Sequence, residues 1–279
     1  MAKTVPLLLL FGALGCDPNV VDAVREPPLV TEPVPVSPLE SSLIHRYSFY
    51  GDGIVALDSK GAAHGQILGG AELVGTGSLA LSGGHSLQYV NLPDGIVSGL
   101  TDATFEAWLT WDGGGAWQRI FDFGNSVGGV DPPTMTPSGG SYAGTSYLFL
   151  TTNASLDTPS GAGNLRVVFS QKGVPDEDIC FGSDPFPAHV PTHVAVVVDS
   201  SAKSIALYQD GELAKKCDLT RPLSTIEDVN NWLGRSNFTA DPDLAADYDE
   251  FRIYGAALTP EQIADSYRLG PDAKAVSAP

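Results

Sequence analysis

Beyond residue 43 the chain alternates apolar runs of four to eight residues with clusters of turn-forming residues, the layout of strands rather than helices. Runs at His45–Tyr50, Ser78–Leu81, Ser86–Val90, Thr104–Trp111, Arg119–Phe123, Ser146–Thr151, Leu165–Ser170, His193–Asp199, Ser204–Gln209 and Asp249–Tyr254 are expected as strands. The four residues Ser200 to Lys203 between two of them predict a hairpin, and Asp210-Gly211 a second tight turn. No helical pattern separates these runs, so the connections are hairpins and long returns and the sheets are antiparallel. One helix is expected, near the C-terminus. Thr259-Pro-Glu-Gln262 combines an N-cap hydroxyl, Pro at N1 and Gln at N3; Gly270-Pro271 stops it; Ile263, Tyr267 and Leu269 are expected to line one side. Many strands with one terminal helix predict an all-β antiparallel sandwich.

The first 43 residues follow a different pattern. Lys3 precedes an apolar run from Val5 to Leu14 that stops at Gly15-Cys16-Asp17, the layout of a secretory signal. The run is shorter than the roughly 20 residues a membrane-spanning helix needs. Ala13-Leu-Gly-Cys16 resembles the bacterial lipobox, with Ala13 where that motif usually has Leu, and the resemblance implies cleavage before Cys16 and lipidation of its thiol. Several acyl chains on one cysteine, at about 0.8 kcal/mol per buried CH₂, suffice for stable anchoring. Residues 17–43 carry Pro18, Pro27, Pro28, Pro33, Pro35 and Pro38 among acidic residues, the composition of an extended linker. The expected organisation is a signal at 1–16, a linker at 17–43, a β domain at 44–270 and a tail at 271–279, with the protein held in the bacterial cell envelope, periplasmic or at the surface.

Charge and cysteine content narrow the partners. Asp and Glu number 33 against 15 Lys and Arg, a net charge of −18 that excludes phosphate-backbone recognition. With Cys16 assigned to lipid, Cys180 and Cys217 are expected as one disulfide of an exported domain. Gly (31) and Pro (21) are abundant, in keeping with many turns.

Six ordered blocks carry a family resemblance: Asp102-Ala-Thr-Phe-Glu-Ala-Trp108, Gly115-Ala-Trp-Gln-Arg-Ile-Phe-Asp-Phe-Gly124, Thr192-His-Val-Ala-Val196, Leu207-Tyr-Gln-Asp-Gly211, Asn231-Trp-Leu-Gly-Arg-Ser236 and Asp249-Glu-Phe-Arg-Ile-Tyr254. Together they resemble a laminin-G-like domain of the concanavalin A-like lectin/glucanase superfamily over residues 43 to 270. The resemblance implies a jelly roll of two antiparallel sheets, commonly with calcium. Pro191-Thr192 stands where such domains often place a Trp. The fold hosts lectins, glycanases and adhesive modules, so it names no ligand.

Site chemistry separates these classes. Glycanases of this fold use a Glu-x-Asp pair with a further Glu, and no Glu-x-Asp occurs in the chain. The acidic groups Asp176-Glu-Asp178, Asp241-Pro-Asp243 and Asp247-Tyr-Asp249 read as solvated loops. Gly124-Asn-Ser-Val-Gly128 matches a nucleophile-elbow string, but the Gly and Pro residues that follow cannot start the required helix. The five histidines show no metal-ligand spacing, and His193 reads as a core imidazole. For calcium, the Asp58-Ser-Lys-Gly61 loop resembles an early loop of the family and Asp249 heads the last strand, so Asp58 and Asp249 are the expected ligands, in a structural role. For carbohydrate, which needs ring faces and planar hydrogen-bonding groups, the candidates are Trp111, Trp117, Arg119, Tyr142, Trp232 and Arg235, each with packing as the alternative. Trp108 is expected in the core, and the long segment Asn125–Ser146 as a binding loop. The expected function is a monomeric, non-enzymatic, lipid-anchored module recognising glycan. A protein-binding adhesion or structural envelope role and an atypical glycan hydrolase remain as alternatives.

Overall fold

The structure, a computed structural model, describes residues 38–154 and 164–272, with residues 183 and 184 as backbone alone. The expected signal, Cys16, most of the linker and the tail beyond residue 272 lie outside the described residues. In chain order the elements are α1 (Pro38–Ser42), β1 (Leu43–Tyr47), β2 (Asp52–Gly53), β3 (Val55–Ala56), β4 (Gly65–Leu68), β5 (Leu73–Val74), β6 (Leu79–Gly84), β7 (Tyr89–Leu92), β8 (Ala103–Trp111) and β9 (Arg119–Ser126). They continue with β10 (Gly144–Thr151), β11 (Asn164–Ser170), β12 (Glu177–Pro185), β13 (Pro191–Asp199), β14 (Ser204–Gln209), β15 (Glu212–Asp218), β16 (Asn230–Leu233), β17 (Asp243–Tyr254) and α2 (Pro260–Leu269).

Two antiparallel sheets face each other. One runs β1-β17-β8-β13-β14-β15, with β6 also paired to β17; the other runs β12-β11-β10-β9-β16-β7-β4-β3. In both, successive side chains point to opposite faces. On β8, Phe105, Ala107 and Leu109 join the core between the sheets while Thr104, Glu106 and Trp108 point the other way. Phe105, Phe121, Phe123 and Phe251 meet at the centre with ring centroids 4.9 to 6.2 Å apart. Burying a ring of this size contributes on the order of 2–3 kcal/mol. The β13–β14 hairpin pairs Asp199 with Ser204 as expected, and Asp210 and Gly211, both at positive φ, make the tight turn into β15.

The strands missed in sequence are the polar or short ones, β2, β3, β4, β5, β12, β15 and β16. Their positions in the sheets come from neighbours rather than from a hydrophobic run of their own. β15 has exposed residues along most of its length and is held by pairing to β14.

The outer face of the seven-stranded sheet is closed by both helices. Leu39, Leu258 and Ile263 pack on Ala195, Val197, Ala206, Tyr208 and Tyr254, so residues 38–42, read as linker, are part of the packed domain. α2 has the expected capping box: the Thr259 side chain accepts from the Gln262 amide, and the Gln262 side chain accepts from the Thr259 amide. Its buried face differs from the expected one. Ile263 and Ser266 are buried while Tyr267 and Leu269 are exposed, because the Ser266 hydroxyl donates to the Glu106 carboxylate beneath it. Glu106 also accepts from Tyr254 Oη and pairs with His193 Nε2 at 3.2 Å. Trp108 is buried here between the His193 ring and the Arg252 guanidinium. A second carboxylate, Glu250, receives both arms of Arg46 and the amide of Asp272, so the first and last described segments meet at one side chain.

Cys180 on β12 and Cys217 on β15 form a disulfide, joining the edge strands of the two sheets across a sequence separation of 37. Closing a loop of that length stabilises the fold by about 3–4 kcal/mol in the chain-entropy account. The Cys180→Ala/Cys217→Ala variant is expected to lose about that much in a urea titration, with its midpoint insensitive to reductant. A midpoint equal to that of the oxidised parent would show that the bridge adds nothing.

Candidate functional site

With one outer face under α2, the outer face of the eight-stranded sheet is the other broad surface. Strand register sets Phe149, Asp122, Trp232, Asn91 and Gln66 in one row across five strands. Arg119, Thr151, Arg166 and Phe181 form a neighbouring row. Phe121, Phe123, Leu148, Leu150 and Leu233 alternate with these residues and fill the core behind them.

At the centre Asp122 is fully buried. Its oxygens accept from the Asn237 amide and the Asn237 side chain at 2.9 and 2.8 Å, and Arg119 Nε lies 3.5 Å away. Arg119 also donates to Asp241 at 2.7 Å and to the Trp117 carbonyl, and its guanidinium lies 3.9 Å from the Phe149 ring centroid. Burial drives the Asp122 carboxyl up to about 6, against the lowering pull of Arg119 and Asn237. Burial likewise raises Asp241 and Asp243.

Five of the six expected sugar-binding residues lie on or over this face, but internal contacts occupy most of them. Trp232 is completely buried, its Nε1 donating to Asn91 and its ring lying under Arg235 at 4.3 Å. Arg235 also covers Tyr89 and donates to the Pro132 carbonyl. Arg119 is 2% exposed and committed as above. Trp117 and Tyr142 remain half-buried; the Trp117 ring faces both Arg119 and Arg166. Trp111 is placed differently from the expectation: it points into the core against Phe186 and donates to Gln118, so it has no ring face for a ligand.

The long loop after β9 folds back over the face instead of projecting from it. Asp131 N and Gly129 O bond the Asn230 side chain, and Tyr142 exchanges two hydrogen bonds with Thr239. A Cβ on Gly128 would lie 2.5 Å from Pro132 and 2.8 Å from Tyr142, which is why glycine stands there. Ser126, the elbow serine, ends β9 and is followed by a turn. Two of the three acidic groups read as solvated are structural: Asp178 is bonded by Thr220 and Arg221, Asp241 by Arg119 and Ser236, and Asp243 by the Leu87 amide, while Asp247 of the third is exposed.

Between this loop, the β6–β7 turn and the segment after β16 lies an open groove of about 560 Å³, walled by Leu87, Met135, Gly140, Ser141 and Thr239. A small pit in its floor is lined by Arg235, Ser236, Asp241 and Asp243. Leu87 sits at φ 60°, a conformation costly for a branched side chain, while its own side chain stays 39% exposed to the groove. Asp122, Asn237, Leu87, Met135 and Asp243 were not singled out as site residues from sequence. The signal available for Asp122 was a lone carboxylate inside the apolar strand Ile120-Phe-Asp-Phe123.

The residues expected to hold calcium do not fit it. Asp58 accepts hydrogen bonds from the amides of Arg46, Lys60, Gly61 and Ala63 and pairs with His45 Nδ1, so its lone pairs are spent and amide hydrogens surround it. Burial raises its pKa, but the Gly61 amide, His45 and the other donors outweigh that and bring it to about 2. Asp249 lies at the β17 bulge facing Asp247 and Asp272, its carboxyl raised by burial and by both neighbours. Among the described residues no group of three or more His, Cys, Asp or Glu side chains has metal-holding geometry.

Asp122 has a pKa above that of an unfolded Asp, so its contribution to stability is complete below about pH 4 and is lost as pH rises through about 6. Lowering the pH from 7 to 5 is therefore expected to stabilise the protein through this group by roughly 1–3 kcal/mol. Asp122→Asn should remove that gain, read as the difference between urea midpoints at the two pH values. An unchanged difference would show that Asp122 does not titrate in this window.

Comparison with known proteins bears on the fold. No curated protein matches the chain significantly. Among solved structures, domain 4 of AbnA, a GH43 extracellular arabinanase from Geobacillus stearothermophilus, solved in complex with arabinotriose, superimposes with a TM-score of 0.51 at 19% identity, covering 80% of this chain and 97% of that one. Trypanosoma rangeli sialidase superimposes at 0.57 and 15% identity, covering 87% of this chain and 34% of its own, so this chain spans about a third of that enzyme. The family Laminin_G_3, described as the concanavalin A-like lectin/glucanases superfamily, matches residues 83–264. With most of the domain matched and two antiparallel sheets facing one core, the chain belongs to the concanavalin A-like lectin/glucanase superfamily.

Proposed function

We propose that this protein is an exported, lipid-anchored module of the bacterial cell envelope that binds carbohydrate without cleaving it. The observation that carries the reading is the groove: apolar walls at Leu87 and Met135 over a floor of carboxylates, hydroxyls and a guanidinium, the mixture that suits the C–H faces and hydroxyls of a sugar. Non-Gly backbone strain at Leu87, offset by the Asp243 bond to its amide, is of the kind found at ligand clamps. The arabinotriose complex of AbnA domain 4 supports an oligosaccharide ligand by analogy of fold.

Binding is favoured over hydrolysis because two of the three carboxylates at this site, Asp122 and Asp241, are committed, which leaves Asp243 without a second free carboxylate to pair with as acid and nucleophile. Asp122 is sealed from solvent, and Asp241 is held by Arg119 and Ser236. The Cys180–Cys217 bridge supports an oxidising compartment, and the Ala13-Leu-Gly-Cys16 motif supports the lipid anchor there.

The test is a polysaccharide array probed with the full chain. Reproducible binding is expected, and Leu87→Gly and Met135→Ala should each weaken it at least threefold. Leu87→Gly relieves the positive φ and should not lower the melting temperature. Unchanged affinity in both variants would remove the groove from the site. Silence from folded protein would overturn the carbohydrate reading, and shortened glycan products would overturn the non-hydrolytic one.

A further inference from the structure

We infer that the groove selects uncharged glycans, and that Asp243 is the residue that turns away chains bearing uronate, sialate or sulfate groups. The inference rests on the carbohydrate reading above and adds the chemistry of its ligand. Asp243 is 4% exposed, lines the pit, and gives Oδ2 to the Leu87 amide at 2.7 Å. Its Oδ1 has no hydrogen-bond partner among the described residues, so on a residue that is otherwise buried one acceptor is left for a ligand hydroxyl.

The charges around the pit do not favour an anion. Asp122, Asp241 and Asp243 stand against Arg119 and Arg235. Arg119 is already shared between two of those carboxylates. Arg235 is 6% exposed, lies over Trp232 and Tyr89, and spends Nη2 on the Pro132 carbonyl, so part of its donor capacity is already used. His85 lines the rim and is exposed to solvent, where any charge it carries is screened. An anionic sugar entering here meets an unbalanced carboxylate, on a chain whose net charge is −18. A neutral sugar meets the same carboxylate as an acceptor for its hydroxyls, and charge-assisted hydrogen bonds are the strong ones.

The experiment measures the full chain against a panel of neutral polysaccharides and a panel of uronate-bearing and sulfated ones, at low and at 0.5 M salt. Wild type is expected to prefer the neutral panel at least tenfold at low salt, with the preference narrowing at high salt as screening grows. Asp243→Asn keeps an acceptor for the Leu87 amide while removing the charge, and it should cut the preference at least tenfold. Equal or tighter binding of the anionic panel by wild type would overturn the selection while leaving carbohydrate binding intact. No binding of either panel by folded protein would overturn both. Should the variant fail to fold, the salt series on wild type decides: a preference independent of salt overturns the electrostatic filter.

Discussion

A carboxylate with no water around it must be answered by the protein, and on the outer face of the eight-stranded sheet that requirement falls on Asp122. Its answer comes from Asn237 and Arg119, which belong to different parts of the chain. Satisfying one buried charge therefore pins the segment after β16 to β9, and Arg119 in turn ties Asp241 and the Trp117 carbonyl to the same point. The groove walls hang from these pins: Thr239 holds Tyr142, and Asp243 holds the Leu87 turn. Loss of the Asp122 network would release both sides of the groove at once.

The two outer faces of the sandwich solve opposite problems. On the seven-stranded sheet, Glu106 and Glu250 are buried with Arg252, Arg46, Tyr254 and Ser266, and α2 closes over them. That polar layer fixes where the helix sits, since Ser266 must reach Glu106. On the eight-stranded sheet, guanidinium groups lie on aromatic rings, Arg119 on Phe149 and Arg235 on Trp232, and a loop rather than a helix provides the cover. A loop cover leaves an opening, and the opening is the groove.

Much of the fold was legible in the sequence because its central strands are apolar runs bounded by turn residues: β8, β13 and β14 are buried along nearly their whole length, and Thr259 to Gln262 spells the α2 cap. The polar edge strands were hidden, since β12 and β15 owe their place to pairing and to a disulfide rather than to an apolar pattern. The site was legible in residue type but not in role. Trp232, Arg235 and Arg119 do gather on one face, yet a ring and a guanidinium that attract a sugar attract each other as well, and only tertiary placement shows which contact is made. Asp243 read as one more solvated acid because its burial depends on the Leu87 turn, far away in sequence.

Strand β17 gives the molecule a mechanical axis. Asp243 at its start lines the pit, and Glu250, seven residues on, or about 23 Å at 3.3 Å per residue, grips Arg46 near one end of the domain and the Asp272 amide near the other. A pull between a glycan in the groove and the chain flanking the domain would run along β17, which is paired to β6, β8 and β1. The ladder hydrogen bonds of that strand lie across the pull and would bear it together in shear instead of breaking singly. Force along β17 would thus be shared by the whole ladder.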